Sequence, residues 1–196
     1  MNHLAHFYLA RPDPELMVGA IVADYARGEV AALPYTEGIK KGIALHRFID
    51  TFTDNHATVR RMTELLHPTQ HKYAPIVVDV CFDYFLATDW ARYAPDCTLA
   101  AFSKSVCAIL LQYEAVLPTP LQARLPKMVA NNFLVHYNSY DGLRYAFESI
   151  HKRTSFASAL LTATDDFVRL QPEMQVAFDV FFAELRGACR EAYGGE

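Results

Sequence analysis

Two stretches of the chain place acids and an imidazole where apolar residues belong. In GIKKGIALHRFIDTFTDNH, His46 stands four residues before Asp50; in YAPIVVDVCFDYFLATDW, Asp79 stands four residues before Asp83. Residues four apart on an α-helix share a face, about 6 Å apart along the axis. In both stretches that face is also the apolar one. Ile39, Ile43, His46, Asp50 and Thr53 make one stripe, and Ile76, Asp79, Asp83, Leu86 and Trp90 make the other. Ionised groups driven into an apolar surface are costly unless a cation or hydrogen bonds answer them. Metal sites in helical bundles are built from carboxylates and histidines that project inward from facing helices. Hard divalent ions such as Mn²⁺ and Mg²⁺ favour oxygen ligands, and imidazole suits transition metals. The candidate ligands are His6, Asp24, His46, Asp50, Asp79 and Asp83. Each has a rival reading. His6 is a core histidine satisfied by a neighbour, Asp24 an exposed acid near a helix end, and His46 with Asp50 a mutual hydrogen bond. Asp79 and Asp83 pair with arginines such as Arg47 or Arg60.

The elements that must carry these residues read as helices throughout. Residues 2–10 are short and apolar and contain His3 and His6. Asp13 before Pro14 predicts a helix start, a cap followed by proline in the first turn. That helix is expected over 15–27, ending at Gly28, with Asp24 just after its dense apolar positions. Thr36 is the predicted cap of the His46–Asp50 helix. A further segment runs to Leu66 and is expected to end at His67-Pro68. The most apolar helix is expected over 72–93, with Pro75 in its first turn. Five more helical segments are expected, at about 98–116, 121–140, 142–151, 155–170 and 172–192, with breaks at Pro118, Pro120, Asp141-Gly142 and Pro172. Strict period-two runs and hairpin dipeptides between alternating strands are absent. The predicted fold is all-α, a single-domain bundle of seven to nine helices over residues 1–196.

Composition bounds the function. A chain of 196 residues that is 52% hydrophobic and 20% charged can bury a substantial core. Its net charge of −4 argues against a nucleic-acid binder driven by phosphate neutralisation. Four cysteines without a CxxC pair predict buried free thiols in a reducing cytosol, and hence a cytoplasmic protein. MNHLAHFYLARPDPE does not read as a signal segment, and no run is long and apolar enough to span a membrane. No G-x-S-x-G elbow, phosphate-binding loop or dinucleotide fingerprint appears, and Gly38 and Gly42 fall within a helical pattern. Arg27, Lys40, Lys41, Arg47, Arg60, Arg61 and Lys72 surround the acidic set in sequence. They read either as a solvated face or as a docking rim for an acidic or phosphorylated partner.

The blocks MNHLAHFYLA, VGAIVADYARG, GIKKGIALHRFIDTFTDNHATVRR and YAPIVVDVCFDYFLATDW resemble the acyl carrier protein phosphodiesterases. The likeness covers the first ninety or so residues well and continues more weakly through LPKMVANNFLVHY and DGL. The resemblance implies an all-helical, divergent relative of the HD-type metal phosphohydrolases, although no contiguous His-Asp dipeptide is present. It implies removal of 4′-phosphopantetheine from holo acyl carrier protein, an acidic partner, with a divalent ion, typically manganese. Carried over by position, Asp24, His46, Asp50, Asp54, His56, Asp79 and Asp83 match the family's acids and imidazoles. Tyr8, Ala23 and Tyr84 depart from it, standing where the family often has His, Gly and His.

Together these readings predict a metal-dependent phosphodiester hydrolase. The metal would acidify water and neutralise the phosphodiester oxygens. Arg47 would hold a non-bridging oxygen, and Asp54 or His56 would orient the water or protonate the leaving oxygen; Asp24 serves both metal and catalysis. The alternatives are a nucleotide or other small phosphodiester as substrate, or a non-catalytic helical binding module. Nucleic acid and membrane are not expected partners, and the oligomeric state stays open.

Overall fold

The computed structural model describes residues 1–154 and 159–194. Among them there are ten α-helices, several short 3₁₀ turns and no strand, as the missing period-two pattern predicts. The helices are α1 (His3–Ala10), α2 (Pro14–Val22), α3 (Glu37–Asn55), α4 (Ala57–Gln70), α5 (Ala74–Thr88), α6 (Trp90–Tyr93), α7 (Leu99–Gln112), α8 (Thr119–Ala130), α9 (Tyr140–His151) and α10 (Ala163–Tyr193).

The predicted starts are where the caps stand. Asp13 accepts the backbone N–H groups of Glu15 and Leu16, and Pro14 opens α2. Thr36 accepts from Ile39 and opens α3. The ends differ more. The helix expected over 15–27 tightens after Val22 into a 3₁₀ turn over Ala23–Tyr25, which carries Asp24. Neither Pro68 nor Pro172 breaks its helix: α4 runs on to Gln70, and the two segments expected around Pro172 are one helix of 31 residues. Proline removes one hydrogen bond to the carbonyl four residues earlier. Those carbonyls belong to Glu64 and Val168, both on exposed faces open to solvent. The expected 155–170 segment begins outside the described residues.

One core runs through the bundle, from Met1 and Leu4 to Leu185 and Cys189. Helix α5 lies at its centre, with every residue from Val80 to Ala87 buried. Phe82 and Phe85 of α5 meet Phe178 and Phe181 of α10, and Phe178 stacks on Phe182 at 5.1 Å. Aromatic pairs of this kind add about 0.5–1.5 kcal/mol each beyond the area they bury.

The tightest crossing lies between α2 and α3. A Cβ placed on Gly19 would meet the Ile39 carbonyl oxygen and lie 2.6 Å from the Gly42 Cα; one placed on Gly42 would meet the Leu16 carbonyl oxygen and lie 2.8 Å from the Gly19 Cα. Two glycines face one another, so the two backbones touch. Gly42, which the sequence places within a helical pattern, is therefore a packing residue. It sits one turn before His46 and sets how near that side chain comes to α2.

Gly42→Ala is expected to destabilise the protein by roughly 1–3 kcal/mol, the range for overpacking a rigid contact. Chemical denaturation reads it directly, and an unchanged midpoint would show that the helices part at no cost.

Candidate metal centre

Three helices, α1, α3 and α5, and the turn after α2 converge on a polar cleft of about 320 Å³ lined by Met1, His3, His6, Asp24, His46, Asp50, Asp54 and Asp79, with Asn2 at its edge. His46 is the best-fixed member. Its Nδ1 donates to the Ala20 carbonyl oxygen of α2 at 2.7 Å. This bond sets the tautomer and turns Nε2 into the cleft, the arrangement in which histidine serves as a ligand. Nε2 lies 3.0 Å from Asp50 Oδ2 and 3.6 Å from Asp24 Oδ1. From α1, His6 stacks on His46 with ring centroids 4.0 Å apart and brings its Nε2 within 3.2 Å of Asp50 Oδ1. Its Nε2 also lies 3.2 Å from the Met1 carbonyl oxygen, while its Nδ1 is buried without a hydrogen-bond partner. The ligand atoms of His6, His46 and Asp50 all lie within 4.8 Å of one another.

The electrostatics follow from this crowding. Burial and the adjoining His46 push His6 down to about 4, although Asp50 works the other way. Burial also opposes the charged form of His46, but the hydrogen bond and charge of Asp50, helped by Asp24, outweigh it and the pKa is raised. Asp50 is partly desolvated, yet its hydrogen bonds to the two imidazoles hold its carboxyl well below the usual range. A proton on His46 Nε2 would stand between two carboxylates, where a divalent cation has the same electrostatic reason to sit. The donor set of neutral imidazole, second imidazole and carboxylate suits a transition ion, with Asp24 near enough to join.

Of the residues singled out in the sequence, His6, Asp24, His46, Asp50, Asp54 and Asp79 line this cleft. Asp79 receives the Met1 ammonium at 2.8 Å. Asp83 does not line the cleft. Its oxygens accept the backbone N–H groups of Leu4 at 2.7 Å and Ala5 at 3.2 Å, so it caps the start of α1 from α5. Burial raises its pKa to about 7 despite those donors. Arg47 also points elsewhere: its guanidinium donates to the carbonyl oxygens of Gly28 and Ala26 at 2.8 and 2.9 Å. It pins the loop that follows Asp24, where Gly28 has a φ of +87°. His56 caps α4 through Nδ1 and meets Glu184 through Nε2 at 3.2 Å, away from the cleft.

The family departures at positions 8 and 84 are both core contacts, Tyr8 donating to the Tyr93 carbonyl oxygen and Tyr84 lying against Phe167. The residue that the sequence reading passed over is His3, whose Nδ1 lies 3.9 Å from Asp24 Oδ2. Its signal was present: His3 and His6 are three apart, and so share a face of α1.

In the metal-free protein the stacked imidazoles are expected to titrate on opposite sides of the free value. The sign of each linkage differs. His46 stabilises the fold below its unfolded pKa, a contribution lost as pH rises through its higher folded value. His6 costs stability as pH falls from its unfolded value of 6.5 toward about 4. Histidine-edited NMR titration reads both, and a single shared step near 6.5 would refute the arrangement.

The relatives of the chain agree with one another. A family model described as acyl carrier protein phosphodiesterase matches residues 1–185. The chain is 40% identical over 188 residues to the acyl carrier protein phosphodiesterase of Klebsiella pneumoniae subsp. pneumoniae, covering 94% of this chain and 95% of that one. It is 26% identical over 185 residues to the protein of the same name from Serratia proteamaculans, again covering 94% and 95%. Over 191 residues it is 25% identical to that of Yersinia enterocolitica, covering 97% and 98%. No solved structure matches. Since the matched stretch takes in every helix that frames the cleft, the chain belongs to the acyl carrier protein phosphodiesterase family.

Proposed function

We propose that the chain hydrolyses the phosphodiester joining 4′-phosphopantetheine to a serine of holo acyl carrier protein, releasing the prosthetic group and leaving the apo protein. Family membership supplies the reaction class. The observation that carries the chemistry is the cluster of His6, His46 and Asp50, with ligand atoms within 4.8 Å of one another. These three, with Asp24, are the residues that would hold a divalent cation, Mn²⁺ first and Mg²⁺ or another divalent ion next. When bound, such an ion supplies positive charge against the phosphodiester oxygens and makes water more acidic.

The remaining steps belong to the protein. Hydrolysis puts the oxygen of water on phosphorus, breaks the bond from phosphorus to the serine oxygen, and returns a proton to that oxygen. Asp54, exposed at the rim of the cleft, is read as the group that accepts or relays that proton. Asp79 is read as a wall of the site rather than a ligand, because the Met1 ammonium already neutralises it. Arg47 acts as a positioning residue, holding the Ala26–Gly28 loop and so the turn that carries Asp24. His56 shares its imidazole with Glu184 and is not given a chemical step. Metal binding must displace the proton from His46, so affinity falls as the medium becomes more acidic. The reaction is assigned to the cytoplasm, in keeping with the free thiols of Cys81, Cys97, Cys107 and Cys189.

The test is release of 4′-phosphopantetheine from holo acyl carrier protein with Mn²⁺. EDTA, His46→Ala and Asp50→Ala are each expected to lower turnover by more than about 100-fold, since even supporting residues of metal sites cost 10–100-fold. Arg47→Ala is expected to fall less. Full turnover in EDTA or in both ligand variants sinks the proposed centre. A higher kcat/KM on a nucleotide assayed alongside would replace the carrier protein as substrate.

A further inference from the structure

Beside the metal cleft lies a second, larger cavity of about 410 Å³, within the range of pockets that hold small organic ligands. The two spaces share a wall, since Asn2 and His3 line both. Their chemistry is opposite. The cleft has four aspartates in its lining and no lysine or arginine. The cavity is lined by Arg124, Lys127, Lys152 and Arg153 and by no acid. None of these four cations makes a salt bridge among the described residues. In a chain with a net charge of −4, four unpaired cations around one hollow are a local reversal of the overall field.

The walls come from two helices and the turn between them. Arg124 and Lys127 project from α8, and Ile150 from α9, just before Lys152 and Arg153. Phe133 and Tyr137 stand on the 3₁₀ segment Phe133–Asn138. The floor is therefore apolar, while Asn131 and Ser149 add side chains that give and accept hydrogen bonds. Arg124 reaches toward the metal side: its Nη1 donates to the hydroxyl of Tyr25, the residue after Asp24, at 3.3 Å. Arg124 and Arg153 line this cavity together with His3 of the shared wall.

An anion at the junction would have cation-holding acids on one side and two arginines on the other. A mixed apolar and amide-bonding chain attached to that anion would run into the cavity. We propose that this cavity receives the pantetheine arm of the substrate, and that Arg124 and Arg153 meet its phosphate at the mouth. The inference rests on the phosphodiesterase reading for the substrate's identity, but it concerns a different set of residues and is tested by binding. Guanidinium forks suit phosphate oxygens. The arm offers two amides, a hydroxyl and a dimethyl carbon, which match a wall that is part apolar and part hydrogen-bonding. The acidic surface of the carrier protein is the competing occupant for the four cations. Apolar Phe133, Met128 and Ile150 behind them favour the arm, because an acidic helix has no use for an oily floor.

Calorimetric titration of the protein with 4′-phosphopantetheine and with pantetheine, in Mn²⁺, tests this. Wild type is expected to bind the phosphorylated form more tightly. Ser149→Trp, which fills the cavity, is expected to weaken both at least tenfold. Arg124→Ala with Arg153→Ala is expected to weaken only the phosphorylated form, about tenfold, bringing it toward pantetheine. Absence of binding to wild type, or wild-type binding by Ser149→Trp, overturns the proposal. Should Ser149→Trp lose its thermal transition, the double arginine variant decides: equal loss for both ligands, or no loss, overturns it. An increased KM for holo acyl carrier protein with unchanged 4′-phosphopantetheine binding assigns the cations to the protein surface instead, and also overturns it. Pantetheine binding without turnover of holo carrier protein would count against the phosphodiesterase reading and leave the cavity assignment standing.

Discussion

The hydrogen bond from His46 Nδ1 to the Ala20 carbonyl oxygen is the constraint around which the cleft is built. It spans two helices, fixes which nitrogen carries the proton, and leaves the other facing Asp50 and Asp24. A bond of 2.7 Å from a short side chain needs α2 and α3 to pack closely. The facing pair Gly19 and Gly42 allows that approach, and a methyl group on either would prevent it. The helix that carries the ligand and the helix that orients it are thus held by the absence of side chains one turn away.

A second constraint sets the position of α1. This short helix brings His3 and His6 to the cleft, and eight residues of helix do not hold themselves in place. Its opening amides are satisfied by Asn2 in its own chain segment and by Asp83 from α5. The Met1 ammonium adds an ion pair with Asp79, one turn earlier on α5. The two acids of the central helix therefore act as a clamp on α1. Burying them has a desolvation cost, visible in the raised pKa of both. Amides and an ammonium answer that cost in this pair. Around Asp50 the answer is two imidazoles.

Charge is sorted as sharply as packing. Acids face the cleft, unpaired cations face the adjoining cavity, and His3 with Asn2 stands between. A phosphoryl group held at that border needs both: ligands that can hold a cation, and cations that do not depend on one. The overall charge of −4 hides this division, because the two fields cancel at a distance.

Sequence alone was enough for the fold class, for the helix starts at Asp13-Pro14 and Thr36, and for the pairing of His46 with Asp50. Each of these depends on residues within a few positions of one another, where the geometry of a helix converts spacing into direction. It was enough, too, for the family, whose motifs are local strings. What it left open was how each acid is answered. Asp79 and Asp83 have the same spacing as His46 and Asp50, yet one turns to an ammonium and the other to two amides, 78 residues or more away. Arg47 adjoins His46 in sequence but projects to a neighbouring loop, because successive helical residues point about 100° apart. Pro172 stands where the sequence predicts a break, and its exposed face lets α10 run through it. The cavity was beyond reach for the same reason, since residues 2–3 and 124–153 meet only when α1 packs under the segment after α8. Residue type and spacing determined which side chains carry chemistry; tertiary packing decided which of them share a point in space, because the partner that satisfies a buried charge can come from anywhere along the chain.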